Sequence, residues 1–150
     1  MKLSIKIIGL SFLLVSTLAL AASPAGLWKS IDDKTGKPRS LIRISEDNGV
    51  YSGVVEKGLM PTDTGEKVCD KCMDERKDQK IIGMTIIKGI KEKDGSGPIK
   101  EYQGGEILDP DNGKIYKCKL KLNETGDKLE VRGFIGVSLF GRSQTWMREE

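Results

Sequence analysis

Lys114–Leu122 reads KIYKCKLKL, and its alternation decides the fold class. Tyr116, Cys118, Leu120 and Leu122 fall on one side of an extended chain, and Lys117, Lys119 and Lys121 fall on the other. That two-residue period belongs to a strand with one face buried and one in water. The segment DPDNG before it supplies a tight turn, with Asn112-Gly113 suited to positive φ. The segment NETGDK turns the chain after it.

The same rhythm extends in both directions. Downstream lie LEVRGFI (residues 129–135), the corner GVSLFG and a last strand RSQTWM (142–147). Upstream, KEYQGGEIL (100–108) is a strand interrupted by Gly104-Gly105, a bulge or a place of close backbone approach. Before it, IIGMTIIKGI (81–90) is apolar enough to be buried on both faces. Three more strands open the series: GLWKSI (26–31), residues 39–45 and VYSGVVEKG (50–58). In the second of these, Ser40, Ile42 and Ile44 share a face opposite Leu41 and Arg43; in the third, Tyr51 and Val55 share a side. A long polar segment at residues 59–80 carries Pro61 and a C-x-x-C pair.

About eight strands in sequence order, joined by short turns and without an amphipathic helix, predict an all-β fold. An antiparallel up-and-down barrel is the simplest closure, because it leaves no exposed edge. An open curved sheet or a small sandwich is the alternative. No repeat or linker divides residues 22–150, so one domain is expected.

The first 21 residues have the form of an export signal. Lys2 and Lys6 precede an apolar run, and Ala19-Leu20-Ala21 offers the small-x-small cleavage pattern. The run is short for a membrane span, so none is expected after cleavage. Removing those two lysines leaves 23 basic residues against 22 acidic ones, a formal charge of +1 rather than +3. Such a balance argues against a nucleic-acid partner. The chain has no histidine, which excludes the commonest general base, His-dependent triads and His-containing zinc sites. No catalytic residue, cofactor or metal site is assigned, and the reading is of a non-enzyme. Asn123-Glu124-Thr125 matches a glycosylation acceptor but is read as turn chemistry.

Cys69 and Cys72 lie in the long segment as CDKC, and Cys118 sits alone on the inward face of its strand. A local Cys69–Cys72 disulfide is preferred, because export places the chain in an oxidising compartment. Two other pairings of chemistry stay open: a bond from one of them to Cys118, or a metal site from all three thiolates. A thioredoxin-like role would need a helix N-terminus at the first cysteine, and no such context surrounds CDKC. For Cys118 a small buried hydrophobe is the simpler reading.

The exported chain keeps seven aromatics, nearly all in strands: Trp28, Tyr51, Tyr102, Tyr116, Phe134, Phe140 and Trp146. Core filling is their first role. An eight-stranded barrel can be solid or can hold one small molecule, and few aromatics with abundant glycine favour some interior space. Tyr51, Tyr102, Tyr116 and Phe134 are the candidates around such a cavity.

GGEILDPDNGKIYKCKLKL and LEVRGFIGVSLFGRSQTW, with the GLWKS start and the IIGMTII strand, resemble exported bacterial proteins of domain-of-unknown-function family 2147. The resemblance implies a lipocalin-like antiparallel barrel in a Gram-negative envelope, periplasmic or secreted, and supplies no reaction. Gly26-x-Trp28 is also similar to the first strand of lipocalins, where an arginine of the last strand packs over the tryptophan. Arg148 could match it, with Arg142 as the alternative, and the resemblance implies that Gly26, Trp28 and this arginine close one end of the barrel rather than bind a ligand. Three functions follow as expectations: a barrel binding a small apolar or lipid-like molecule, an envelope interaction module using the 59–80 loop, or thiol redox and metal handling by Cys69 and Cys72.

Overall fold

The computed structural model describes residues 22–149, so the export segment lies outside the described residues. Eight strands follow one another: β1 (Gly26–Ile31), β2 (Pro38–Asp47), β3 (Val50–Gly58), β4 (Thr85–Glu92), β5 (Lys100–Asp109), β6 (Lys114–Leu122), β7 (Lys128–Phe134) and β8 (Gly141–Arg148). Each pairs antiparallel with the next, and β8 returns to β1 to close the barrel. The alternation of β6 holds: Cys118, Leu120 and Leu122 are buried, Tyr116 is half-buried, and Lys117 and Lys121 are exposed.

Because every strand reverses the last, odd strands begin at one end of the barrel and even strands finish there. Trp28, Ile44, Tyr51, Ile90, Tyr102, Leu122 and Leu129 therefore converge on that end, all buried. This half is packed solid, and it forms the floor. Residues 22–25 cross beneath it.

β4 begins at Thr85, later than the apolar run predicts. Gly83 takes a φ of +89° and ends the extended run, and Met84 N–H donates back to the Ile81 carbonyl at 3.0 Å. Ile86 and Ile87 are both buried although adjacent, because the register with β3 slips between Gly53 and Val54. The Gly104-Gly105 pair is both things its sequence suggested. Gly104 has a φ of +87°, the register with β6 slips between Tyr102 and Gly105, and a Cβ on Gly105 would fall on the Lys88 carbonyl. In the β5–β6 turn only Gly113, at +71°, needs positive φ; Asn112 does not.

The long β3–β4 connection folds against the outside of the barrel. Gly113 and the Lys71 carbonyl lie so close that a side chain at 113 would not fit. Leu108, on the outer phase of β5, is buried beneath this connection. Arg76 is buried there too, paired with Asp74 (Nη2–Oδ2 2.5 Å) and donating to the Thr85 carbonyl at 3.1 Å. Hydrogen bonds from Arg76 hold the Asp74 carboxyl down at about 2.

Gly105→Ala is expected to lower stability by about 1–3 kcal/mol, since only backbone surrounds the new methyl group. Gly97→Ala, in open space, should stay within about 0.5 kcal/mol. Urea midpoints of the two variants check this.

Candidate ligand cavity

Away from the floor the inward positions become small or polar, and the barrel is hollow. Ser30, Ser40, Gly133 and Gln144 stand where bulky residues would be needed to fill it. The resulting cavity, whose lining extends to Ile82, Ile86 and Leu108 at the β3–β4 connection, has a volume of about 660 Å³ and opens at the end that carries the β1–β2, β3–β4, β5–β6 and β7–β8 connections. That size lies within the range of small-molecule sites.

Its walls differ in character. Val55, Ile107, Tyr116 and Val131 make an apolar side from β3, β5, β6 and β7. The opposite side, from β8 through β1 to β2, carries Gln144, Ser30 and Ser40. Ser30 is buried, yet its hydroxyl is satisfied: it donates to the Ser40 carbonyl at 3.2 Å and accepts from the Ser40 N–H at 3.1 Å. Gln144 also lines the cavity, and its Oε1 accepts from Trp146 Nε1 at 3.1 Å.

Charge is confined to the mouth, and its cations are paired. Arg39 bridges Asp32 at 3.3 Å and Asp111, and Lys67 reaches Asp111 at 2.8 Å. Burial works against the ionised Asp111, but the hydrogen bonds from Lys67 and Arg39 prevail and lower its pKa. Burial likewise opposes the Arg39 charge, and Asp111 outweighs it and raises the pKa. Arg142 pairs with Asp33 at the same rim (Nε–Oδ2 2.6 Å). The mouth is thus a ring of ion pairs with two further carboxylates, Asp63 and Asp109, which accept from the Met60 N–H at 2.9 Å and from the Asp111 N–H at 3.0 Å, above a mixed apolar and polar interior.

Of the four aromatics named from sequence, two border the cavity. The Tyr116 side chain faces it, and the tyrosine hydroxyl accepts from Asn112 Nδ2 at 3.2 Å. Phe134 borders its rim, although its ring lies on the outer phase of β7 with Lys119 Nζ 5.6 Å from its centre. Tyr51 and Tyr102 belong to the floor, packed edge to face with centroids 5.2 Å apart. Burial pushes the Tyr102 phenol up to about 12. Tyr51 and Tyr102 stand near the starts of odd strands, which places them at the closed end. Ser30, Ser40, Gln144, Arg39 and Asp111 were not singled out as site residues, although the inward phase of Ser40 was readable beside Ile42 and Ile44.

The floor has its own polar lock. The Arg148 guanidinium stacks over Trp28, 4.3 Å from the ring centre, and donates to the carbonyls of Ser23 at 2.6 Å, Ala25 at 2.8 Å and Gly126 at 2.6 Å. Trp28 Nε1 donates to the Pro24 carbonyl at 2.7 Å. Arg148, and not Arg142, therefore lies over the tryptophan. One side chain joins the last strand, the first strand, the β6–β7 turn and the N-terminal crossing segment.

Cys69 and Cys72 are joined by a disulfide in the outer connection, and both are buried. Cys118 is a free thiol inside the barrel, and burial pushes its pKa up to about 12. The three sulfurs therefore do not form one ligand set. Among the described residues no group of three or more cysteines and carboxylates is placed to hold a metal ion.

A closed eight-stranded antiparallel barrel with a sealed floor and a hollow upper half is a lipocalin-like architecture. It is similar to protein HP1028 from the human pathogen Helicobacter pylori, which belongs to the lipocalin family. That match has a TM-score of 0.72 at 18% identity and covers 86% of this chain and 84% of that one. The chain itself belongs to DUF2147, a family described as uncharacterized proteins conserved in bacteria, whose profile matches residues 26–148. Comparison with curated proteins yields no match.

Two outcomes follow from the floor and the thiols. Arg148→Met should cost roughly 2–4 kcal/mol, because it removes the stack and strands three carbonyl acceptors. Arg142→Ala, at an exposed ion pair, should cost less than about 1 kcal/mol. Thermal unfolding separates them. For Cys118, the unfolded thiol releases its proton near the ordinary value of 9.0, and the folded one holds it to about 12. Between those pH values the unfolded state binds fewer protons, so stability falls as pH rises, by up to about 1.4 kcal/mol per unit. The difference in urea midpoint between the parent and Cys118→Ala should therefore change with pH above 9 and stay flat below it. Alkylation should label no thiol in the native protein, one after unfolding, and three after unfolding with reductant.

Proposed function

We propose that this protein is an exported, non-enzymatic carrier that holds a small apolar or lipid-like molecule in the open half of its barrel. The observation that carries the reading is the division of the interior. A barrel of eight strands can be filled completely by side chains. Here the floor half is filled and the mouth half leaves about 660 Å³ between an apolar wall and a polar one. An occupant with an apolar body and one or two hydrogen-bonding groups fits that division: its body covers Val55, Ile107 and Val131, and Gln144 and Tyr116 orient its polar end.

Export is part of the same reading. The signal-like residues 1–21, the bacterial family and the buried Cys69–Cys72 disulfide all suit the periplasm of a Gram-negative cell. Cleavage after Ala21 would leave a short N-terminus leading into Ser23, whose carbonyl Arg148 holds. The carrier reading is preferred to an interaction surface on the 59–80 loop because three of that loop's cations are held on neighbouring elements, Lys67 and Lys71 on Asp111 and Arg76 on the Thr85 carbonyl. It is preferred to thiol chemistry because both disulfide cysteines are buried.

Titration with an anilinonaphthalene dye tests the cavity directly. The parent should bind it with enhanced fluorescence, and Val131→Trp, which fills the void from β7, should weaken binding at least tenfold while the barrel stays folded. Native mass spectrometry of the protein purified from the periplasm should also show an adduct of small-molecule mass. Absence of both signals removes the carrier reading.

A further inference from the structure

The corner between β7 and β8, residues 135–140, is the most apolar exposed segment among the described residues. Ile135, Val137, Leu139 and Phe140 are all between 59 and 79% exposed, four large apolar side chains on six residues. Soluble surfaces scatter such residues singly, and a contiguous group marks a contact site. We propose that this corner docks on a lipid surface and sets the cavity mouth against it.

Three features favour lipid over a protein partner. The first is the charge pattern. From Arg132 to Arg142 the chain reads RGFIGVSLFGR, with an arginine at each end and no carboxylate between them. Arg142 is paired with Asp33, whereas the partners of Arg132 are neutral: the Ser138 carbonyl at 2.7 Å, the Leu139 carbonyl at 3.2 Å and Ser143 Oγ at 2.9 Å. Such an arginine can reach anionic headgroups while the apolar tip enters the acyl boundary.

The second is backbone satisfaction. A lipid-inserted loop must pair its own carbonyls. Arg132 serves those of Ser138 and Leu139, and Phe140 N–H serves that of Val137 at 3.2 Å. The corner is ready to leave water without stranding these acceptors. The third is size: four side chains on one corner fall far short of the about 20–30 residues a side of a standard protein interface.

Position gives the docking a consequence. Ile135 and Phe140 both face solvent and border the cavity, as does Met60 on the opposite lip. An apolar molecule moving between a bilayer and the cavity would pass over apolar side chains throughout. Docking can nonetheless be tested separately from cavity binding, because Val137 and Leu139 do not line the cavity.

The test is co-sedimentation of the purified protein with vesicles of phosphatidylethanolamine and phosphatidylglycerol. The parent should bind, and more weakly as salt rises. Val137→Ser/Leu139→Ser should weaken binding at least tenfold while dye binding in the cavity is unchanged. Leu139→Trp should emit at shorter wavelength when vesicles are added. Failure of the parent to sediment with vesicles, or equal sedimentation of the double variant, overturns the proposal. So does a concentration-dependent dimer that the double variant abolishes in the absence of vesicle binding, since the corner would then serve a second copy. Dye binding without vesicle binding overturns docking alone, and vesicle binding without either dye binding or a co-purified adduct overturns the carrier reading alone.

Discussion

Closure of this barrel depends on a narrow seam. β1 and β8 share only two register pairs, Trp28 with Arg148 and Lys29 with Met147. A ladder that short would be a weak edge if hydrogen bonds alone held it. The stack of Arg148 on Trp28 reinforces it from inside, and the Lys29–Glu149 ion pair and the bond from Glu149 N–H to the Leu27 carbonyl reinforce it from outside. Arg148 also binds the carbonyls of residues that cross the floor, so one side chain both closes the sheet and seals its end.

A sealed floor leaves the other end free. The buried apolar side chains that stabilise the fold are concentrated where Trp28, Tyr51, Tyr102 and Leu122 meet, and Trp146 closes the layer above them. Above Trp146 the inward positions no longer have to fill space, and Ser30, Ser40, Gly133 and Gln144 are tolerated there. The rigid half supplies stability, and the loops at the open half supply the mouth. Here the mouth is bordered by fixed ion pairs on Arg39, Asp111, Lys67 and Arg142, and by one apolar corner.

Much of this was legible in the chain. Eight strands and their order follow from alternation and from turn residues, which act locally. KIYKCKLKL, GLWKSI and VYSGVVEKG have the same limits in the structure as in the sequence reading. The Gly104-Gly105 bulge was visible because only glycine meets both demands, a φ of +87° at one position and a carbonyl against the other. The start of β4 was not visible, because IIGMTII looks continuous until Gly83 takes a left-handed φ. The site was the least legible part. Four aromatics on strands look alike in sequence, and the strand direction of each decides whether it faces the floor, as Tyr51 and Tyr102 do, or the cavity, as Tyr116 does. Phe134 shows the further effect of phase, one residue beyond the inward Gly133.

The sequence by itself thus determined the fold class and the strand order, because alternation and turn chemistry are properties of short segments, whereas an arginine over Trp28 was only what the resemblance to lipocalins implied. Tertiary structure alone decided which end is hollow, which arginine seals the floor, and that Leu108 and Arg76 are buried outside the barrel under the β3–β4 connection. Those outcomes depend on closing the sheet and folding a long loop back on it. Closure brings together residues more than a hundred positions apart, such as Ser23 and Arg148, and no local pattern records that distance.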